Sequence, residues 1–135
     1  MFRRLDAQML VSGQIRPEDV KEAAQAGVTL IINNRPDGEQ VGQPSGMEIE
    51  AAARAAGLDY RHIPVAGGFR QDQVEAMAEA LGGAEGKVLA FCAGGVRSAY
   101  MWALTRAQAG DDADSIVARA AGAGYDLTPL RPYLG

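Results

Sequence analysis

Apolar positions come in blocks along the chain, and their spacing switches repeatedly between that of strands and that of helices. Short runs rich in β-branched and aliphatic residues at Val28–Asn33, 58–63 and 88–91 predict buried strands, and residues 7–11, closed by Ser12-Gly13, predict a shorter one. Helical stretches lie between them. Pro17-Glu18-Asp19 opens a helix that Gly27 ends. Ser45 caps a second, with Met47-Glu48 near its third position and Gly57 as its stop. Residues 72–81 set Val74, Met77, Ala78 and Leu81 on one face, with Asp72 as the cap. A helix is predicted over 97–108, and Asp112 or Asp114 caps another running towards Ala121. Residues 127–135 carry two prolines and read as a turn-like segment.

Strands alternating with helices imply one α/β domain over residues 1–135, with a mainly parallel central sheet covered by helices on both faces. No repeat or composition break divides it. In such sheets ligands sit at the carboxyl ends of the strands, which directs attention to residues 33–39, 64–70 and 92–98. Composition narrows the picture further. With 47% hydrophobic and 22% charged residues the chain is globular in character. A net charge of −4 with interspersed signs argues against nucleic acid or an anionic membrane surface as partner. The apolar runs are too short to span a bilayer, and Met1-Phe2-Arg3-Arg4 is not followed by the apolar stretch of a secretion signal. A single cysteine cannot form an internal disulfide, so a reducing, cytoplasmic setting is expected. One histidine and one cysteine leave little for a zinc site, and the acidic stretch 111–114 reads as a solvated helix cap. Neither metal nor cofactor is expected.

The most informative stretch is Phe91-Cys92-Ala93-Gly94-Gly95-Val96-Arg97-Ser98, running from strand through loop to helix. Cys92 leaves a buried strand at the ligand-binding edge. Gly94 and Gly95 allow backbone angles that turn successive N–H groups inward, so that residues 93–96 form an anion nest. The helix start that follows adds free amides and a favourable dipole, and Arg97 adds a permanent cation with a planar fork of donors. An anion-stabilising loop is what a thiolate nucleophile needs. The duller reading is a small buried structural cysteine, a common fate for this residue.

Strand, cysteine, glycine-rich loop, Arg-Ser and helix resemble the active-site loops of cysteine-dependent phosphatases and of rhodanese sulfurtransferases. Asn33-Asn34-Arg35-Pro36-Asp37-Gly38-Glu39, Gln43-Pro44 and Tyr60-Arg61-His62-Ile63-Pro64-Val65 extend the resemblance to a bacterial family of phosphatase-like domains, over about residues 5–104. Members of that family stand alone or are fused to metallo-β-lactamase-like hydrolases of the persulfide dioxygenase type. The resemblance implies a dual-specificity-phosphatase-like fold, a possible persulfide dioxygenase partner, and either phosphatase or rhodanese-like activity.

Loop length favours sulfur. Four residues separate Cys92 from Arg97, and the phosphatase signature has one more. A shorter loop offers fewer amides to a phosphoryl group but suffices for one persulfide sulfur. Residues 64–70, where the resemblance places a phosphatase's aspartate, hold no carboxylate, so Asp37 on a neighbouring loop is the candidate acid. Ser98 points the other way, because the phosphatase signature has a hydroxyl after its arginine. The leading expectation is therefore a sulfurtransferase that moves sulfane sulfur from thiosulfate or glutathione persulfide to a thiol acceptor such as glutathione, through a Cys92 persulfide. The alternatives are a phosphatase acting through a Cys92 phosphocysteine and a non-catalytic sulfur carrier or anion sensor.

The expected site comprises Cys92, Arg97, Ser98 and Asp37 as catalytic residues, with Ala93, Gly94, Gly95, Val96 and Arg35 binding the anion. Asp37-Gly38 also fits a plain turn, Arg70 an exposed surface cation, and His62 a packing residue. Tyr100, Met101, Trp102 and Leu104 have the spacing of core positions.

Overall fold

The computed structural model describes residues 1–135. Five strands form one sheet: β1 (Arg3–Arg4), β2 (Met9–Ser12), β3 (Val28–Asn33), β4 (Asp59–His62) and β5 (Lys87–Phe91), in the order β1-β2-β5-β3-β4. All neighbours pair in parallel except β1 with β2. The helices are α1 (Val20–Gln25), α2 (Gly46–Ala55), α3 (Gln71–Gly83), α4 (Val96–Gln108) and α5 (Ala113–Gly122), with 3₁₀ turns at Pro17–Asp19 and Thr128–Tyr133. No helix is long and apolar enough to cross a membrane.

Alternation along the central strands builds two cores. Val88 and Ala90 of β5, with Leu30 and Ile32 of β3, face a cluster of 23 buried residues that includes Met77, Met101, Trp102 and Ile116 from α3, α4 and α5. Leu89, Phe91 and Ile31 face a second cluster of 11, closed by α1 and α2 through Val20, Ala23, Ile49 and Ala53. Covering on both faces explains why β3 and β5 read as continuous apolar runs. Parallel pairing also puts the C-termini of β2, β3, β4 and β5 on one edge.

Several boundaries differ from the expectation, each for a local reason. The first strand is Met9–Ser12 rather than 7–11, because Asp6 Oδ1 accepts from the N–H groups of Gln8 and Met9 at 2.8 and 2.7 Å and holds a turn there. The antiparallel edge strand β1 carries two exposed arginines and has no hydrophobic signature. On α3 the buried small residue is Ala80, whereas Ala78 is exposed. Asp72 does not cap that helix. Gln73 Oε1 accepts from Arg70 N at 2.8 Å, and Asp72 pairs with the Arg70 guanidinium at 2.9 Å in solvent. Ser45 and Asp112 cap α2 and α5 through hydrogen bonds from Glu48 N and Ser115 N.

Candidate active site

The loop between β5 and α4 begins at Cys92, which is 1% exposed at the end of the apolar strand. The Gly95 amide donates to Cys92 Sγ at 3.1 Å, so the chain has turned back over the sulfur before α4 begins. Gly95 makes that turn in the left-handed region, at φ +95°. Gly94, expected to share this role, does not adopt a positive φ. α4 starts at Val96, so the positive end of its dipole follows directly on the amide that contacts the sulfur. The base of the loop is fixed from β2. Gln14 N donates to Ala93 O at 3.1 Å, and a Cβ on Gly13 would lie 3.0 Å from that same oxygen, so the two segments approach more closely than most side chains tolerate. Ala93, Gly94 and Val96 remain exposed around the opening.

Arg97 turns back toward the strand ends. Its Nη1 donates to Val65 O at 2.9 Å and to Glu39 Oε2 at 2.8 Å, and its Nη2 donates to Glu39 Oε1 at 2.9 Å. This is a bidentate carboxylate clamp of the kind that fixes a guanidinium in one orientation. Hydrogen bonding by Glu39 is the main cause that raises the Arg97 pKa, and the nearby Cys92 adds to it. Glu39 Oε1 also accepts from Arg35 Nε at 2.9 Å. Glu39 thus ties loop 34–44 to both arginines.

Arg35, expected to bind the anion, is 6% exposed, and its Nη1 donates to Gln14 Oε1 at 3.0 Å, so that it brackets the β2 and β3 loops. Asp37 is drawn away from an acid's role as well. Its Oδ1 accepts from Gly46 N at 2.7 Å and so caps the start of α2. Ser98 is fully buried and donates to Asn34 Oδ1 at 2.8 Å, while Asn34 Nδ2 donates to Ile63 O at 3.0 Å. The serine therefore locks α4 to the β3 and β4 ends. His62 Nε2 lies 2.9 Å from Arg35 O, and Arg70 pairs with Asp72. Both occupy the structural roles allowed for them.

Glu39, Gln14 and Asn34 were not singled out from the sequence, although Glu39 is essential to the geometry. The Arg35–Glu39 spacing carries no signal in a loop, and its partner Arg97 lies 58 positions away. Hydrogen bonding from Arg97 is the largest influence on Glu39, and with Arg35 it lowers the carboxyl pKa from 4.5 to about 2. A carboxyl so held stays ionised near neutral pH and is unsuited to donating a proton. Because its folded pKa is depressed, its stabilisation is present above about 4.5 and is lost as pH falls toward 2. Thermal melts between pH 6 and 3 should show the wild type losing stability more steeply than Glu39→Gln. The difference is expected to be modest, since the Arg97 and Glu39 side chains are 25% and 30% exposed. Parallel slopes would contradict this account.

A parallel sheet with a cysteine–glycine–arginine loop opening a helix at its carboxyl edge is the architecture of the cysteine-dependent phosphatases. Kinase associated phosphatase, in a structure whose catalytic-site cysteine is replaced by serine, shares the fold with a TM-score of 0.72 at 16% identity, covering 93% of this chain and 83% of that one. Residues 1–111 match the family described as beta-lactamase hydrolase-like protein, phosphatase-like domain, and the chain belongs to that family. A beta-lactamase hydrolase-like protein of Agrobacterium fabrum is 37% identical over 105 residues, which is 77% of this chain. The match spans only 24% of that relative's length. The structure of a putative phosphatase from Neisseria meningitidis superposes with a TM-score of 0.87 at 35% identity, covering 98% of this chain and 94% of that one.

Proposed function

We propose that the chain is a cysteine-dependent phosphatase acting on phosphate monoesters through a Cys92 phosphocysteine. The observation that carries this reading is the Arg97 guanidinium, clamped by Glu39 and Val65 O beside a sulfur already hydrogen-bonded by Gly95 N. A guanidinium fixed at its far side presents its remaining donors to phosphoryl oxygens at no further ordering cost. The likeness to the Neisseria putative phosphatase over nearly the whole of both chains supports phosphate over the sulfur transfer that loop length suggested.

In the first step Cys92 Sγ attacks phosphorus, the S–P bond forms and the P–O bond to the leaving group breaks. The loop amides and Arg97 hold the equatorial oxygens. Water then attacks the phosphocysteine, the S–P bond breaks, and inorganic phosphate leaves with the thiolate restored. Protonation of the leaving oxygen has no carboxylate to serve it: loop 64–70 contains none, Asp72 just beyond it pairs with Arg70 in solvent, Asp37 caps α2 and Glu39 is held ionised. The leaving group therefore departs with a proton from water or as an anion, which makes the rate depend steeply on its basicity. Aryl phosphates with acidic leaving phenols should be hydrolysed at least about 100-fold faster than alkyl phosphates, the span of one general acid's contribution. A rate independent of leaving-group pKa would reveal a proton donor that this account lacks.

Sulfur transfer remains as a second reading, favoured by the four-residue spacing and the absent acid, since expulsion of sulfite needs no proton donor. Release of phosphate from p-nitrophenyl phosphate, set beside sulfur uptake from thiosulfate, separates the two. Phosphate turnover without sulfur uptake supports the phosphatase. The reverse would overturn it.

A further inference from the structure

On the β2 side of the cysteine loop lies a polar cavity of about 350 Å³, lined by Ala93 of the loop itself and by Gln14, Arg16, Arg35, Gln40 and Gln43. No carboxylate lines it. Two of its residues are arginines, and the rest of its polar lining is neutral amide. Arg35 is held in place, with Nη1 on Gln14 Oε1 at 3.0 Å and Nη2 near Gln40 Oε1 at 3.4 Å, so its charge is presented along one fixed wall. Its Nε donates to Glu39 Oε1 at 2.9 Å, so part of its charge is met by a carboxylate that stands outside the lining. Arg16 behaves differently. Its backbone N–H is taken by Asp19 Oδ2 at 2.8 Å, but it is exposed and its guanidinium enters none of the protein's ion pairs. Gln14 Nε2 and Gln43 Nε2 donate to Ile15 O and Pro36 O. That leaves the free Arg16 cation, with the fixed Arg35 guanidinium and the Gln40 amide beside it, as the groups this cavity offers an anion one residue from the nucleophile.

We propose that this cavity receives a second anionic group of the substrate, a carboxylate or another phosphate, a few bonds from the phosphoryl group over Cys92. The inference rests on the phosphatase reading for the first group only. It sets the substrate class as small metabolites that carry a phosphate ester and a second acidic group, in which one group is bound and the other is cleaved. An apolar groove elsewhere on the molecule offers a contrasting choice. A groove of about 400 Å³ lined by Phe69, Tyr100, Leu104, Leu130 and Tyr133 would suit an uncharged aromatic substrate.

The test compares 3-carboxyphenyl phosphate with the near-isosteric 3-carbamoylphenyl phosphate, which differ in charge at the second group. Wild-type protein should favour the carboxylate by about 10-fold in kcat/KM, the scale of one charge-assisted hydrogen-bonded pair. Arg16→Ala should bring the ratio close to one, and raised salt should shrink it in the wild type. A wild-type ratio near one, a preference for the amide, or a ratio unchanged by Arg16→Ala would overturn the proposal. Affinities of the two matching phosphonates for Cys92→Ser protein provide the same comparison without turnover. If neither ester is hydrolysed yet the carboxyphosphonate binds more tightly, the phosphatase reading fails and the second site stands. Equal binding of the two would remove the second site.

Discussion

Cys92→Ser is expected to lower phosphate-ester turnover by about 10⁴-fold or more while leaving the fold and its melting temperature nearly unchanged. The size of the effect follows from where the sulfur sits. Cys92 is the single cysteine of the chain, it is buried at the end of β5, and the protein sets an amide and a guanidinium beside its sulfur. Serine fills nearly the same space and can still accept from Gly95 N, so packing around the strand end is preserved. Its hydroxyl ionises far less readily than a thiol, and no neighbouring base is placed to help. Anion binding should therefore survive while chemistry stops. A serine variant that retains wild-type turnover would show that the reaction does not pass through this atom, and the arrangement around Arg97 would need another purpose.

Gly95→Ala should be nearly as damaging, for a different reason. The residue sits at φ +95°, a conformation that costs an alanine roughly 1–2 kcal/mol. Its Cβ would also collide with Tyr125, whose hydroxyl oxygen lies closest to the position that atom would take and whose Cζ would be 2.9 Å away. Displacing that ring from beside the loop adds about 1–3 kcal/mol of overpacking. Relaxation of the loop would remove the Gly95 N–H from the sulfur, so activity should fall by about 100-fold along with a lowered melting temperature. Pairing the change with Tyr125→Ala separates the causes. The double variant should recover part of the stability and little of the activity, because the backbone strain remains. Full recovery of both would assign the whole effect to the collision.

Much of this organisation is written locally and can be read. β3 and β5 are flanked on both sheet faces, so Leu30–Ile32 and the run Val88–Phe91 are apolar without a break. Ser45 and Asp112 are polar caps in front of apolar helices, and the cysteine–glycine–arginine stretch is contiguous in the chain. What escaped reading is long-range. β1 exists through its register with β2, Arg3 opposite Val11, and two exposed arginines give no sign of that. Glu39 acquires its role only when the β3 and β5 loops meet at the sheet edge, and Asp37, one turn of chain earlier, is captured by the α2 N-terminus instead. Two carboxylates in one loop thus take opposite assignments, decided by which cation or amide folding brings to each. Arg35 was likewise legible as a cation near the site, but its burial behind Gln14 and Glu39 was not.

The central claim is that Cys92 carries the transferred phosphoryl group, and intact-protein mass during turnover tests it most directly. Protein denatured rapidly while hydrolysing an excess of p-nitrophenyl phosphate should show a population heavier by one phosphoryl group, mapped to the peptide containing Cys92 and missing from Cys92→Ser. A wild-type protein that stays unmodified under these conditions, and instead gains one sulfur atom on Cys92 from thiosulfate, would contradict the claim and establish sulfur transfer in its place.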